Sequence, residues 1–151
     1  MRSKRVLRRP LDDLLTRRAS RLLDLAGQIA LSRGSVEVEP EHIFSALVAL
    51  NSGVAVRALS MLSVEIREVG GSTESMPTGQ PSEAPEMTVD SEKVLQLARK
   101  EAYEFGHHYI GTEHVLLGLL RHEQNLSTQL LSRVGADLPA LRRCVIKVLH
   151  S

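Results

Sequence analysis

Residues 106–119 read GHHYIGTEHVLLGL and residues 34–47 read GSVEVEPEHIFSAL, and the two stretches align without a gap at a shift of 72 positions. The same shift matches Arg21–Ile66 with Lys93–Leu138. Chance similarity between helices explains several shared apolar residues, but not a glycine and a Glu-His pair in the same register. The chain therefore contains an internal repeat, with identities at Leu23/Leu95, Leu25/Leu97, Ala26/Ala98, Ala30/Ala102, Gly34/Gly106, Glu41/Glu113, His42/His114, Leu47/Leu119, Leu59/Leu131 and Ser60/Ser132.

Each copy of the repeat is predicted to be helical, because apolar residues recur at helical spacing. In the second copy Thr88 is a predicted N-cap and Gly106 a predicted left-handed residue that ends the first helix. The remaining predicted elements of this copy are the loop His107–Gly111, a helix Glu113–His122 capped by Thr112, a helix Leu126–Val134 and a helix Leu138–Leu149.

The first copy follows the same plan with three departures. Pro40 takes the place of Thr112, which the first turn of a helix tolerates. The third predicted helix, Gly53–Ser63, is followed by a fourth that is cut short at Val64–Val69. Gly70–Met87 is rich in Gly, Pro, Ser and Thr, and is predicted to be a flexible linker.

The predicted fold is all-α, with two tandem four-helix repeats related by a pseudo-twofold axis and packed as one compact domain. One unit alone has apolar stripes that it cannot bury, whereas two units packed face to face can bury them. The predicted boundaries are a basic flexible leader at 1–14, a first repeat at 15–69, a linker at 70–87 and a second repeat at 88–151.

Composition and charge exclude several classes of function. The apolar fraction is 42%, aromatic residues make up 3%, and the net charge is +1, which gives no global attraction to nucleic acid or anionic membrane. The single cysteine, Cys144, forms no intramolecular disulfide and favours a cytoplasmic location. Its apolar surroundings predict a core residue, and no apolar run has the length of a signal peptide or membrane span.

The one local excess of charge is the leader, with Arg2, Lys4, Arg5, Arg8 and Arg9. We interpret it as solvated and disordered, and a targeting segment is a weaker alternative. The alternative function that it offers is a nucleic-acid-binding helical protein, for which no predicted helix carries the basic or amide residues of a recognition helix.

Signatures of catalysis are absent from the sequence: it has no phosphate-binding loop, no G-x-S-x-G and no H-E-x-x-H. His107, His108 and His114 lie within eight residues, but their spacing does not match a standard ligand set for a metal. We therefore predict no enzyme, no metal and no cofactor, with a metal-dependent hydrolase at these histidines as the weaker alternative.

The recurring pairs Glu41-His42 and Glu113-His114 are the strongest candidates for function. A purely structural explanation is available, because an acidic residue in the first turn is favoured by the helix dipole and the histidine can dock on the preceding loop. The functional interpretation is recognition of a cation, since a carboxylate accepts two hydrogen bonds from a guanidinium. Free N–H groups at the helix start could hold an attached anion.

Residues Gly106–Leu119 resemble the signature of the Clp N-terminal repeat domain, most closely of the ClpC and ClpA type, and Thr16–Ala19 resembles the start of its first repeat. The resemblance covers Leu15–Leu149. It implies an eight-helix pseudo-twofold domain that recruits substrates and adaptors to an ATP-driven unfoldase and its partner protease. It also implies that Glu41 and Glu113, with Thr112, bind phosphorylated arginine, although Pro40 weakens the first of these sites.

The predicted function is accordingly a non-enzymatic adaptor or regulator of Clp-type proteolysis. Its predicted partners are Clp unfoldase or protease subunits, protein substrates or adaptors, without nucleic acid or membrane and with the oligomeric state left open. The family's unfoldases continue into ATPase modules, whereas this chain ends at Ser151. The basic leader and the atypical first repeat favour an independent protein over a shortened form of a longer one.

Overall fold

The computed structural model describes residues 13–50, 53–61, 85–122 and 138–149. The predicted helices Val64–Val69 and Leu126–Val134, and most of the predicted leader and linker, lie outside these residues. The elements within them are, in chain order, α1 (Arg17–Ser32), β1 (Glu37–Val38), α2 (Pro40–Leu50), α3 (Val54–Met61), β2 (Glu86–Met87), α4 (Val89–Glu104), α5 (Thr112–Arg121) and α6 (Leu138–Leu149).

The first helix of each repeat begins and ends as predicted. Thr16 Oγ1 accepts a hydrogen bond from the Ala19 N–H at 3.1 Å, and Thr88 Oγ1 accepts one from the Ser91 N–H at 3.2 Å. Each bond satisfies a backbone donor that has no partner within the helix. Both helices end before a glycine in the left-handed region, namely Gly34 (φ 77°) and Gly106 (φ 75°).

The core is built from branched aliphatic side chains and alanines of both repeats. Leu22, Ile43 and Leu47 of the first repeat and Val94 and Leu116 of the second are almost fully buried and belong to one cluster. Cys144 of α6 lies in the same cluster, which confirms that it is a core residue. The predicted helical fold with two packed repeats is therefore confirmed.

Backbone pairing between the repeats is reciprocal. β1 and β2 are parallel, with Val38 opposite Met87. A separate parallel bridge joins Leu15 to Ile110. At the repeat shift, Leu15 corresponds to Met87 and Ile110 to Val38. The start of each repeat therefore pairs with the loop of the other repeat, as a pseudo-twofold axis requires.

The pairing between the repeats includes the last residues of both segments that the sequence predicts to be flexible, the leader and the linker. Glu86 and Met87 lie in a strand, so the predicted linker extends two residues too far. The leader is predicted to extend to residue 14, but the Leu14 carbonyl accepts a hydrogen bond from the Ile110 N–H at 2.8 Å, so Leu14 pairs with the second repeat. The described ends of the two segments are held by backbone pairing with the opposite repeat rather than by a local pattern.

Gly118 of α5 lies against the backbone of α4, and we expect Gly118→Ala to lower the free energy of unfolding by about 1–3 kcal/mol. A Cβ there would come within 2.5 Å of the Val94 carbonyl oxygen and 2.9 Å of the Ala98 nitrogen, so a helix backbone must move. Alanine's higher helix propensity, about 1 kcal/mol, offsets only part of this cost.

Urea unfolding of the two matched variants Gly118→Ala and Gly27→Ala measures the difference. A Cβ on Gly27 would meet only the Pro85 ring at 3.4 Å, so Gly27→Ala is expected to be neutral or stabilising. Equal free energies of unfolding for the two variants would contradict a close contact between Gly118 and the backbone of α4.

Candidate functional site

The start of α5 is held by a histidine rather than by the predicted threonine. Gly111 is the N-cap residue, with extended backbone angles, and Thr112 is the first residue of the helix. The Gly111 N–H donates to His114 Nδ1 at 2.9 Å. The prediction that Thr112 caps this helix is therefore wrong, because a histidine at the third helical position supplies the acceptor that a capping box requires.

The first repeat uses its histidine in the same way. The Glu39 N–H donates to His42 Nδ1 at 2.9 Å, just before the first turn of α2. Both histidines are buried. The recurrence of histidine in the two Glu-His pairs is thus explained by helix capping, which leaves the two glutamates as the functional candidates.

The hydrogen bonds of His114 fix its tautomer. Because Nδ1 accepts from Gly111, the ring proton is on Nε2, which lies 2.9 Å from His107 Nδ1 and donates to it. Burial, with a smaller contribution from His107, lowers the pKa of His114 to about 4. The ring is therefore neutral near pH 7, and both of its nitrogens are in use, which disfavours the metal-dependent hydrolase at His107, His108 and His114.

A second cluster of possible metal ligands lies at the start of α2, where ligand atoms of Glu39, Glu41 and His42 are within 4.8 Å of one another. His42 Nδ1 accepts the Glu39 N–H, so the ring proton is on Nε2, which faces Glu41 at 3.8 Å. The neutral ring therefore offers no lone pair to a cation unless the cap is broken. This arrangement disfavours a metal here as well.

Glu113 is buried at the start of α5, with 3% of its surface exposed. Its carboxylate lies over Gly111, where any side chain would overlap it. Burial raises the pKa of Glu113, and a hydrogen bond from its own backbone N–H offsets part of that rise. Glu113 forms no ion pair with the described residues, so a cationic group placed beside it would gain a desolvated partner.

A groove of about 480 Å³ runs past the start of α5 and joins the two repeats. The first repeat contributes the start of α1 and the start of α3, and the second contributes the loop before α5 and the end of α6. The residues that line it are Thr16, Arg17, Arg18, Gly53, Val54, Arg57, Tyr109, Gly111, Thr112, Glu113 and Leu149.

The charges in this groove come from different repeats. Arg17, Arg18 and Arg57 all belong to the first repeat, and Glu113 belongs to the second. The Thr112 side chain faces Gly53, where a Cβ would lie 2.8 Å from Thr112 Oγ1. The groove is thus lined by three arginines, a threonine and one buried glutamate. Such a set can bind a phosphate at one end and a cation at the other.

The structure separates the three predicted site residues. Thr112 and Glu113 lie in the groove, whereas Glu41 does not line it and is half exposed beside His42. The contribution of Arg17, Arg18 and Arg57 is not predicted from the sequence. A signal for the first two does exist: the repeat shift pairs them with Val89 and Asp90, so these basic residues are not part of the shared helical pattern.

A larger cavity, of about 590 Å³, lies along α4 beside the end of α5 and contains none of the predicted site residues. Its lining includes Lys93, Lys100 and Arg121, but Arg121 Nη1 is bound to the buried Glu101 carboxylate at 2.8 Å. We place the candidate site in the smaller groove, because of these two cavities it is the one lined by a buried acid without an ion pair, Glu113, together with several arginines.

The described part of the chain contains no helix long and apolar enough to span a bilayer. The predicted nucleic-acid arm, residues 1–9, lies outside the described residues, and that alternative stays a prediction without structural support.

Comparison with known proteins places these features in a family. The family model for the Clp repeat (R) N-terminal domain matches the chain twice, at residues 14–89 and 86–151. Over 138 residues, which is 90% of this chain, the sequence is 33% identical to the chaperone protein ClpB of Oceanobacillus iheyensis. It is 36% identical over the same length to the negative regulator of genetic competence ClpC/MecB of Bacillus subtilis. The chain spans 17% of the length of each.

Solved structures show the same fold. The N-terminal domain of the chaperone ClpD from Arabidopsis thaliana superposes with a TM-score of 0.62 at 19% identity, covering 92% of this chain and 96% of that one. The Hsp104 N-terminal domain from Candida albicans gives 0.63 at 16% identity, covering 89% and 90%. With two consecutive matches to the repeat and a matching fold, the chain belongs to the Clp repeat N-terminal domain family.

Proposed function

We propose that this chain is a non-enzymatic, cytoplasmic protein-binding module that acts as an adaptor or regulator of Clp-type ATP-dependent proteolysis. Its groove would recognise arginine residues that are phosphorylated on protein clients. The observation that carries the proposal is that the buried Glu113 lines the same groove as Arg17, Arg18 and Arg57.

The chemistry of phosphorylated arginine matches this arrangement. The modified side chain has a planar cationic guanidinium and, directly attached, a phosphate. Glu113 can accept hydrogen bonds from the guanidinium in a dry environment, and arginines bind phosphate oxygens through their forked donors. A phosphorylated serine offers only the phosphate, and an unmodified arginine offers only the cation, so each would use half of the groove.

We expect Glu113→Gln to weaken binding of a phosphoarginine peptide about 10- to 100-fold, because one charge-assisted interaction is worth about 1.5–3 kcal/mol. The same change should leave binding of the matching phosphoserine peptide unaltered, since that ligand has no guanidinium. Fluorescence anisotropy with both peptides measures the two affinities. The exposed acidic residue Glu104 on α4 provides the control variant Glu104→Gln, which should change neither affinity.

Equal loss of both affinities in Glu113→Gln would contradict the proposed role of the carboxylate. A test of the broader proposal uses no phosphorylated ligand: the purified chain is mixed with a purified Clp unfoldase or protease core, and complex formation is measured by sedimentation. Absence of any complex with unfoldase, protease core and client proteins alike would reject the adaptor function.

A further inference from the structure

The pseudo-twofold axis creates a counterpart of the groove at the start of α2. Thr88 and the first turn of α4 lie beside this start, since the Thr88 N–H donates to the Val38 carbonyl at 3.0 Å. On the opposite side, the Thr16 N–H donates to the Ile110 carbonyl at 2.9 Å. Each helix start that carries a motif glutamate is therefore flanked by the first turn of the other repeat.

The two flanking turns carry opposite charge. The turn beside Glu113 contains Arg17 and Arg18, whereas the corresponding positions beside Glu41 are Val89 and Asp90. The loop before the helix is also more acidic beside Glu41 than beside Glu113. Tyr109, Gly111 and Thr112 of the second repeat correspond to Glu37, Glu39 and Pro40 of the first.

Acidic side chains crowd this counterpart. Glu37 lies directly opposite Glu86 in the parallel strand pair. Glu39 and Glu41 are both exposed at this helix start, while Asp90, in the first turn of α4, faces His122 Nε2 at 3.4 Å. A phosphate dianion placed here would meet like charges where the groove offers guanidinium groups, and like charges at short range disfavour binding.

The N-cap residue explains why the two glutamates differ in burial. Gly111 has no side chain, so the Glu113 carboxylate can fold over the helix start, where a Cβ would overlap it. Glu39 carries a side chain at the matching position, and Glu41 is 51% exposed instead of buried. Glu41 is therefore hydrated and lacks the dry environment in which a carboxylate binds a guanidinium strongly.

We infer that the domain has one binding site for phosphorylated arginine rather than two. This site is the groove between the repeats at Glu113, and its pseudo-symmetric counterpart at Glu41 does not bind the ligand. The inference rests on the proposed function and deepens it, because it fixes the number of ligands per chain and assigns phosphate recognition to Arg17 and Arg18.

Isothermal titration of the full chain with free phosphoarginine tests the inference, with the variants Glu41→Gln and Glu113→Gln titrated in parallel. We expect one ligand per wild-type chain, an unchanged titration for Glu41→Gln and at least a tenfold loss of affinity for Glu113→Gln. Arg17→Ala combined with Arg18→Ala should also weaken binding at least tenfold. Arg33→Ala, at the end of α1, serves as the matched control.

A stoichiometry near two, or a fall in stoichiometry in Glu41→Gln, would overturn the inference while leaving the proposed function intact. Absence of binding in the wild-type chain would instead reject phosphoarginine recognition itself. Amide chemical shifts of the labelled protein distinguish the two helix starts directly, since ligand should shift the Thr112 and Glu113 signals and leave those of Glu41 and His42 unchanged.

Discussion

Glu101→Ala is expected to lower the free energy of unfolding by about 3 kcal/mol, at the lower end of the range for breaking a buried ion pair. Glu101 of α4 is fully buried and binds two arginines. Arg142 of α6 contacts both carboxylate oxygens at 2.8 and 2.9 Å, and Arg121 of α5 contacts one of them at 2.8 Å. The side chain thus joins three helices, and alanine would leave Arg142 without its ion-pair partner and Arg121 with only the more distant Glu104, at 4.0 Å.

The expected loss lies at the lower end because Arg121 and Arg142 are partly exposed and can be hydrated. Urea unfolding measures the change, and Glu104→Ala on the same helix is the control. Glu104 is half exposed and 4.0 Å from Arg121, so its loss should change stability by less than about 0.5 kcal/mol. A loss below about 1 kcal/mol for Glu101→Ala would show that the three-helix ion cluster does not stabilise the fold.

Acidification from pH 6.5 to about 4 is expected to remove up to about 3 kcal/mol of stability through His114 alone. Burial and the neighbouring His107 lower the pKa of His114 in the folded state to about 4, from 6.5 in the unfolded chain. The folded protein therefore binds fewer protons than the unfolded chain in this range. The contribution of His114 is fully present above pH 6.5 and is lost as the pH falls toward 4.

The variant His114→Gln isolates this effect, because glutamine keeps an acceptor for the Gly111 N–H and does not titrate. The difference in unfolding free energy between wild type and variant, measured in urea from pH 7.5 to 4.5, should shrink as the pH falls. The lowered pKa values of His42, through burial, and Glu101, through its two arginines despite burial, act in the same direction but are common to both proteins. A pH-independent difference would contradict a neutral, buried His114.

The features that sequence alone predicts are those set by a few neighbouring residues. Thr16 and Thr88 cap helices through their own first turns, and Gly34 and Gly106 adopt left-handed angles because glycine does so at no steric cost. The position of Glu113 at a helix start follows from the repeat register. Each of these depends on local geometry, so a pattern within about ten residues is enough to identify it.

The remaining features depend on contacts between distant segments. Arg17 and Arg57 meet Glu113 only after the two repeats pack. Glu101 lies on the buried stripe of α4 with Val94 and Ala98, but the arginines that neutralise it, Arg121 and Arg142, come from two other helices and are not identified by a local pattern. The misassigned cap at Thr112 has a local cause: a threonine hydroxyl can cap a helix, but the helix begins one residue earlier, with Gly111 as N-cap and its N–H bound to His114 Nδ1.

The reciprocal pairing of Leu15 with Ile110 and of Val38 with Met87 has a consequence for how such a chain changes over evolution. The domain has two such edges, the region around Glu113 and the region around Glu41, and each is formed half by one repeat and half by the other. A substitution in one repeat therefore alters one half of a single edge, and changing the ligand preference of that edge takes compatible substitutions in both copies. Arg17 and Arg18 of the first repeat form one such set with Gly111 of the second. Glu39 of the first repeat and Asp90 of the second form the other. After an ancestral duplication, the two edges would diverge as coupled pairs of half-sites, much as the two faces of an intertwined dimer would if its subunits became different.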